Sequence, residues 1–302
     1  MFADFYKEYE IAKNSKKINK QIPEIRNFNR IVFCGVGGSG MPGEILSSLN
    51  NTIDTPILQT RENLPLWADS KTLCFIISYS GNTKETIELY KQAKKKNCKI
   101  IIIASGGQLS KKQETKVLIP EGFLPRESLP YFLYPILKIL NLKTEIKKPK
   151  PSKRQKEKQD RTINEIIYHI KEKNKFPIIY SSSESLKPAS YIWQTQLNEN
   201  SKVFTHSNYF PELAHNEIEA YFPKNSVHIL LKDSSKPNSI NNKKIKKAKN
   251  NKLINPFEIE LKGKSVLEKI IYGIYIGEKV SYFLARELKR DWKKIPKIEK
   301  LK

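Results

Sequence analysis

The 302 residues include 55 Lys and Arg against 31 Asp and Glu, a formal net charge of +24, and 38% of them are hydrophobic. Such a chain has ample core for one large domain or two ordinary ones, which excludes a disordered or fibrous protein. No apolar run approaches the length of a membrane span, and the start, Met1-Phe2-Ala3-Asp4-Phe5-Tyr6-Lys7, has an acid and a lysine where a secretory segment is apolar. A cytoplasmic protein with no membrane partner is therefore expected.

The charge excess invites a nucleic-acid reading, because clustered lysines gain affinity for polyphosphates by releasing counterions. It is concentrated in residues 143–158, in residues 236–252 and at the C-terminus, where lysine far outnumbers arginine and few aromatic residues are interleaved. Solvated lysine-rich faces and linkers account for this better, so no nucleic-acid partner is expected, although an anionic substrate would benefit from the field. Cys34, Cys74 and Cys98 are odd in number and lack CxxC spacing. They read as reduced core residues, and no metal is expected.

In chain order, residues 31–35 form an apolar run ending in glycine and residues 41–49 are helix-like. Residues 73–78 are the next strand, 84–96 an amphipathic helix, 99–104 a third strand and 117–119 a fourth. Residues 130–142 close this half as an apolar helix. The alternation of strands and helices predicts βαβ units and a mostly parallel sheet covered on both faces. Lysines alternating with prolines at residues 147–151 mark a connection between domains. The pattern then restarts, with helices over 163–173, 189–201 and 264–288, strands over 177–182 and 227–232, and a further element over 253–260.

Two strand-to-helix junctions carry chemistry. Gly35-Val36-Gly37-Gly38-Ser39-Gly40 follows the first strand, and Ser78-Tyr79-Ser80-Gly81-Asn82-Thr83 follows the second. Backbone N–H groups at a helix start are unpaired donors, hydroxyls add further donors, and glycine lets a ligand approach, so a phosphoester is the natural occupant. Either segment alone is equally an ordinary capped turn. The glycine spacing is not that of a dinucleotide fingerprint, and no Gly-Lys-Ser/Thr follows, so neither that cofactor nor a P-loop nucleotide is expected.

Gly37-Gly38-Ser39, Ser78 to Thr83 with Glu85 and Thr86, Ser105-Gly106-Gly107-Gln108-Leu109 and Pro125-Arg126 occur in the order found in SIS (sugar isomerase) domains. Together with Asn198-Glu199-Asn200-Ser201-Lys202, Glu212-Leu213-Ala214-His215-Asn216-Glu217 and the terminal Ile298-Glu299-Lys300-Leu301-Lys302, the chain resembles the bifunctional phosphoglucose/phosphomannose isomerase family along its whole length. The resemblance implies an α/β fold of two SIS-type domains, each a mostly parallel sheet flanked by helices. Residues 1–148 would carry the phosphate-binding loops and residues 149–302 the base and the ring-opening residues.

The implied reaction is a cofactor-free aldose–ketose isomerisation of glucose 6-phosphate and fructose 6-phosphate through a cis-enediol, with mannose 6-phosphate as a further substrate. Residues matching Ser39, Ser78, Ser80 and Thr83, with Gly37 and Gly38 in the first turn, would hold the phosphate. His215, supplied across the interface of a homodimer and assisted by Lys302, would open the sugar ring, a task suited to an imidazole that titrates near neutral pH. Lys300 is the substitute if the register is shifted. Glu199 would carry the proton between C2 and C1, and Arg126 would stabilise the developing enediolate. Ile295 stands where the family has a threonine associated with mannose phosphate, which narrows the expected breadth. The competing class is a non-catalytic sugar-phosphate sensor whose basic segments contact nucleic acid. A helix-turn-helix would mark it, and none is read.

Overall fold

The computed structural model describes residues 4–50, 52–220 and 222–301. The chain forms two compact units, Met1–Lys147 and Lys148–Lys302.

The first unit contains helices α1 (Phe5–Asn14) and α2 (Lys16–Asn19), strand β1 (Arg30–Cys34), helix α3 (Met41–Ser47), and strands β2 (Ile57–Thr60) and β3 (Thr72–Ile77). Helix α4 (Lys84–Lys95), strand β4 (Lys99–Ala104), helix α5 (Gly107–Ser110), strand β5 (Thr115–Leu118) and helix α6 (Leu129–Ile139) follow. The strands form one parallel sheet in the order β2-β1-β3-β4-β5. Strands β3 and β4 are near-continuous apolar runs, buried throughout except at Lys99, as parallel strands covered on both faces must be. Val32, Cys34, Cys74, Ile76, Ile100 and Ile102 form a single core with Leu89, Tyr90 and Ala93 of α4. Phe33 and Phe75, paired in register, stack with ring centroids 4.9 Å apart. Tyr131 and Tyr134 of α6 donate hydrogen bonds of 2.6 Å to Glu8 and Asn19, tying that helix to α1 and α2. The three cysteines are free thiols. The chain goes from β1 to β2 on one side and to β3 on the other, so a crevice opens at the C-terminal ends of β1 and β3.

The second unit contains α7 (Lys153–Lys171), β6 (Phe176–Ser181), α8 (Lys187–Gln196), β7 (His206–Tyr209), β8 (Ser226–Lys232), α9 (Ile240–Asn250), β9 (Phe257–Glu260), α10 (Val266–Glu287) and α11 (Pro296–Glu299). Its parallel sheet has the order β7-β6-β8-β9. Tyr180, Phe210, Leu213, Leu230 and Ile245 form its main core cluster. Helices α8 and α10 meet closely because Gly277 lies under Trp193, where a Cβ would stand 2.4 Å from the indole Cδ1. The indole N–H donates to the Gly273 carbonyl at 2.6 Å. At the β6/β8 crevice the Asp233 N–H donates to Ser182 Oγ at 2.9 Å, and the Asp233 carboxylate receives Lys269 Nζ at 2.7 Å. The chain's own ion pair thus occupies that position. Among the described residues no helix is long and apolar enough to cross a membrane.

Several elements differ from the expectation. The end of the lysine-rich stretch, from Lys153, is part of α7, which starts ten residues before the expected 163 on a reciprocal Ser152–Gln155 cap. Only Ile163, Ile166 and Ile170 of that helix are buried, so its first turns carry no apolar periodicity. Residues 236–252 likewise contain α9, which buries Ile245 and Ala248 beneath its lysines. The helix expected over 189–201 ends at Gln196 and continues as a π-helical turn, Leu197–Ser201.

Candidate active site

The crevice between β1 and β3 is lined by the two hydroxyl-bearing loops. Ser39 Oγ accepts the Tyr79 N–H at 3.0 Å, joining one loop to the other across the sheet. Ser78 Oγ accepts the Gly81 N–H at 3.1 Å and lies 2.9 Å from Thr83 Oγ1, and Ser80 Oγ accepts the Asn82 N–H at 3.2 Å. Ser39 and Ser78 are buried, Thr83 is half-buried and Ser80 is exposed. Ser39 and Ser80, engaged as acceptors by the backbone, keep their protons for another partner, and of the Ser78–Thr83 pair one proton lies between the two oxygens and the other is left for a ligand. Thr83 is also the N-cap of α4 yet makes no side-chain cap bond, so the first-turn N–H groups of that twelve-residue helix remain donors. Backbone and hydroxyl donors at a helix start suit an oxyanion of high charge.

Glycines make this packing possible. Gly38 lies against the Pro125–Arg126 peptide, where a Cβ would be 2.5 Å from the Pro125 carbonyl carbon. Buried Arg126 is thereby brought beside the first loop. Gly106 and Gly107 support the second loop from below: the Ser105 N–H and Oγ donate to the Tyr79 carbonyl at 2.9 and 2.7 Å, and the Leu109 N–H donates to the Gly81 carbonyl at 3.0 Å. The Gln108 N–H donates to Asn82 Oδ1 at 2.9 Å. Tyr79 Oη in turn accepts the Phe123 N–H at 2.8 Å, which anchors the loop leading to Arg126. The supporting role of Tyr79 was not read from the sequence, where it is simply the residue between two serines.

Glu199 is half-buried in the π-helical turn after α8. Such turns make room for one extra residue and recur at functional positions. The flanking residues fix it to α10: Asn200 Nδ2 donates to Ser281 Oγ at 2.9 Å and Ser201 Oγ to the Ser281 carbonyl at 2.7 Å. Arg290 caps the end of the turn, donating to the carbonyls of Ser201 and Lys202 at 2.7 Å each. Lys202 closes the turn in the left-handed region at φ 55° and donates to the Glu199 carbonyl.

His215 ends the short 3-10 turn Glu212–His215 and is exposed. Its Nε2 lies 2.9 Å from Lys244 Nζ of α9. Glu199 and His215 are thus held by different neighbours, the one by α10 and the other by α9. Lys302 lies outside the described residues, and Lys300 is exposed just after α11. Ile295 is the half-buried residue preceding that helix. A cleft of about 580 Å³ in the same unit, lined by His169, Lys175, His228 and Lys252 among others, lies at the N-terminal ends of β8 and β9 and contains none of these candidates.

Comparison with known proteins agrees with this architecture. The SIS domain family model matches residues 24–122, and that of the bacterial phospho-glucose isomerase C-terminal SIS domain matches residues 161–302. The chain is 33% identical to a bifunctional phosphoglucose/phosphomannose isomerase of Thermoplasma volcanium, over 99% of this chain and 98% of that one. It is 32% identical to a D-glucosamine-6-phosphate 4-epimerase of Sulfolobus acidocaldarius over 68% of each chain. Among solved structures, glucosamine-6-phosphate deaminase of Thermotoga maritima superposes with a TM-score of 0.69 at 15% identity, covering 97% of this chain and 95% of the other, a likeness of fold. By its end-to-end match, the chain belongs to the bifunctional phosphoglucose/phosphomannose isomerase family.

Proposed function

We propose that the protein interconverts glucose 6-phosphate and fructose 6-phosphate through a cis-enediol, with mannose 6-phosphate the poorer aldose because Ile295 replaces the family's threonine. The observation that carries this reading is the match to isomerases over nearly the whole of both chains, whereas the epimerase matches over about two thirds. The loops at Gly37, Gly38, Ser39, Ser78, Ser80 and Thr83 hold the phosphate, which takes no part in bond changes. His215 moves a proton between the ring oxygen and the anomeric hydroxyl, with Lys302 assisting. Glu199 then removes the proton from C2 and returns it to C1, and the fixed cation of Arg126 offsets charge that appears only in the transition state. The enzyme works as a cytoplasmic homodimer in which each His215 serves the partner's site, and its lysine-rich surface attracts the anionic substrate.

The test is formation of fructose 6-phosphate from glucose 6-phosphate and from mannose 6-phosphate by the wild type and by Glu199→Gln. The wild type should turn over glucose 6-phosphate, and mannose 6-phosphate more slowly, and the variant should lose about 10²- to 10⁴-fold in kcat with phosphosugar binding retained. A wild type that binds glucose 6-phosphate without converting it removes the enzymatic reading. Full activity of the glutamine variant removes Glu199 as the base.

A further inference from the structure

The segment carrying His215 is irregular: two short 3-10 turns, Glu212–His215 and Glu217–Glu219, meet at Asn216. Glu212, His215 and Asn216 are all exposed. An imidazole on such a segment has a defined position only if the segment is tethered on both sides. On one side Leu213 is fully buried in the core beside Tyr180 and Phe210. On the other side, two residues beyond the histidine, stands Glu217.

The Glu217 carboxylate draws in three side chains from two strands of the sheet. Its Oε1 accepts the Tyr180 hydroxyl of β6 at 2.6 Å. Its Oε2 accepts Asn208 Nδ2 of β7 at 2.5 Å and pairs with His206 Nε2 of the same strand at 3.2 Å. Burial pushes the carboxyl upward, but the hydrogen bonds from Tyr180, Asn208 and His206 outweigh it and hold Glu217 below the usual carboxylate range. Charge-assisted bonds of this kind are about twice as strong as neutral ones. Asn216 adds a local link, accepting the Glu217 N–H through Oδ1 and donating to Glu212 Oε1 at 2.8 Å.

We propose that Glu217 is a positioning residue for His215, fixing the segment that bears the imidazole while Lys244 contacts the ring, so that it stands where ring opening requires it; this rests on the role given to His215 above. The carboxylate is needed because three partners converge on two acceptor oxygens. A glutamine offers one acceptor oxygen and no charge, so it cannot keep all three bonds charge-assisted, and an NH₂ turned toward Asn208 Nδ2 would face a group that only donates. The proposal assigns Glu217 to the ring-opening step alone. A merely structural role would weaken all steps through loss of fold.

The experiment measures enzyme-catalysed interconversion of the α and β anomers of glucose 6-phosphate by exchange NMR, above the spontaneous rate. It compares wild type, His215→Ala, Glu217→Gln and the double variant, each checked for an unchanged thermal transition. Displacing an imidazole by about 1 Å costs on the order of 10²-fold, so Glu217→Gln should lose anomer exchange on that scale. Affinity for glucitol 6-phosphate, a permanently open-chain probe, should stay within about twofold, and the double variant should be no slower than His215→Ala. If Glu217→Gln does not fold, Tyr180→Phe removes one of the three bonds and should show a smaller loss in the same step. Wild-type exchange in His215→Ala overturns the reading of His215. Loss in His215→Ala together with wild-type exchange in Glu217→Gln, or a double variant slower by the product of both losses, overturns the role of Glu217 alone.

Discussion

Gly81 lies where the hydroxyl-bearing loop is most confined. Its φ is +66°, and a Cβ there would stand 1.9 Å from the Gly106 carbonyl oxygen. Gly37 in the other loop has a similar φ, +56°, but nothing within 4 Å of the place its Cβ would take. The two glycines therefore separate backbone strain from steric exclusion. Gly37→Ala should cost about 1–2 kcal/mol, the ordinary price of a left-handed alanine. Gly81→Ala must in addition displace the Gly106–Gly107 support, and should lower both stability and phosphosugar affinity by clearly more. Urea unfolding and ligand titration of the two variants check this, and equal losses would refute it. The donors of this cup were legible only by joining the two junctions, because serine, threonine and glycine at one strand–helix junction are equally the residues of an ordinary capped turn. The sequence could not show that each serine oxygen is taken up by a backbone N–H, since that depends on loop geometry.

Among elements, the π-helical turn Leu197–Ser201 bears most on the proposed reaction, because it sets where Glu199, the proposed base, stands. The apolar pattern of residues 189–201 is continuous with a helix, and nothing in side-chain spacing distinguishes an inserted π turn from another α turn. The central strands were legible for the opposite reason: four consecutive isoleucines in β4 and the buried run of β3 can be little else. Strands β2 and β7 escaped because edge strands of four mixed residues, such as His-Ser-Asn-Tyr, leave neither an apolar run nor an alternation. The turn is held by Ser281, which is fully buried and accepts Asn200 Nδ2. Ser281→Ala takes that acceptor away inside the core, a change worth about 1–3 kcal/mol. Glu199 should shift with its neighbours, so kcat should fall about 10-fold or more while KM stays within about twofold. Steady-state kinetics on glucose 6-phosphate measure this, and a purely thermal effect with unaltered kcat would show that the clamp does not position the base.

At the scale of the molecule, the two sheets share a winding but not a use of their crevices. The first presents donors there, and the second fills the place with Asp233, Ser182 and Lys269. Burial would push Asp233 upward, but the hydrogen bonds from Lys269 and Ser235 outweigh it and hold its carboxyl below the usual range. Glu258 is depressed in the same way by Lys249 and Lys232 against its own burial, and Glu217 by its three donors. A group whose pKa is lowered on folding stabilises fully above its unfolded value, about 4 for a carboxylate, and loses that contribution as pH falls through the folded value. From pH 7 to 5 these groups should leave stability nearly constant, and below about pH 4 it should fall steeply. Each carboxylate protonated also removes a negative charge from a chain already at +24, which adds repulsion. Thermal melts between pH 7 and 3 test the limb as a whole, and Asp233→Asn tests its origin. That variant leaves the nearly buried Lys269 without its anion, so it should melt lower at pH 7, by an amount corresponding to about 3 kcal/mol, and lose less between pH 5 and 3. An acid limb as steep in Asp233→Asn as in the wild type would assign the loss to general charge repulsion, and the pair at the second crevice would then have no part in it.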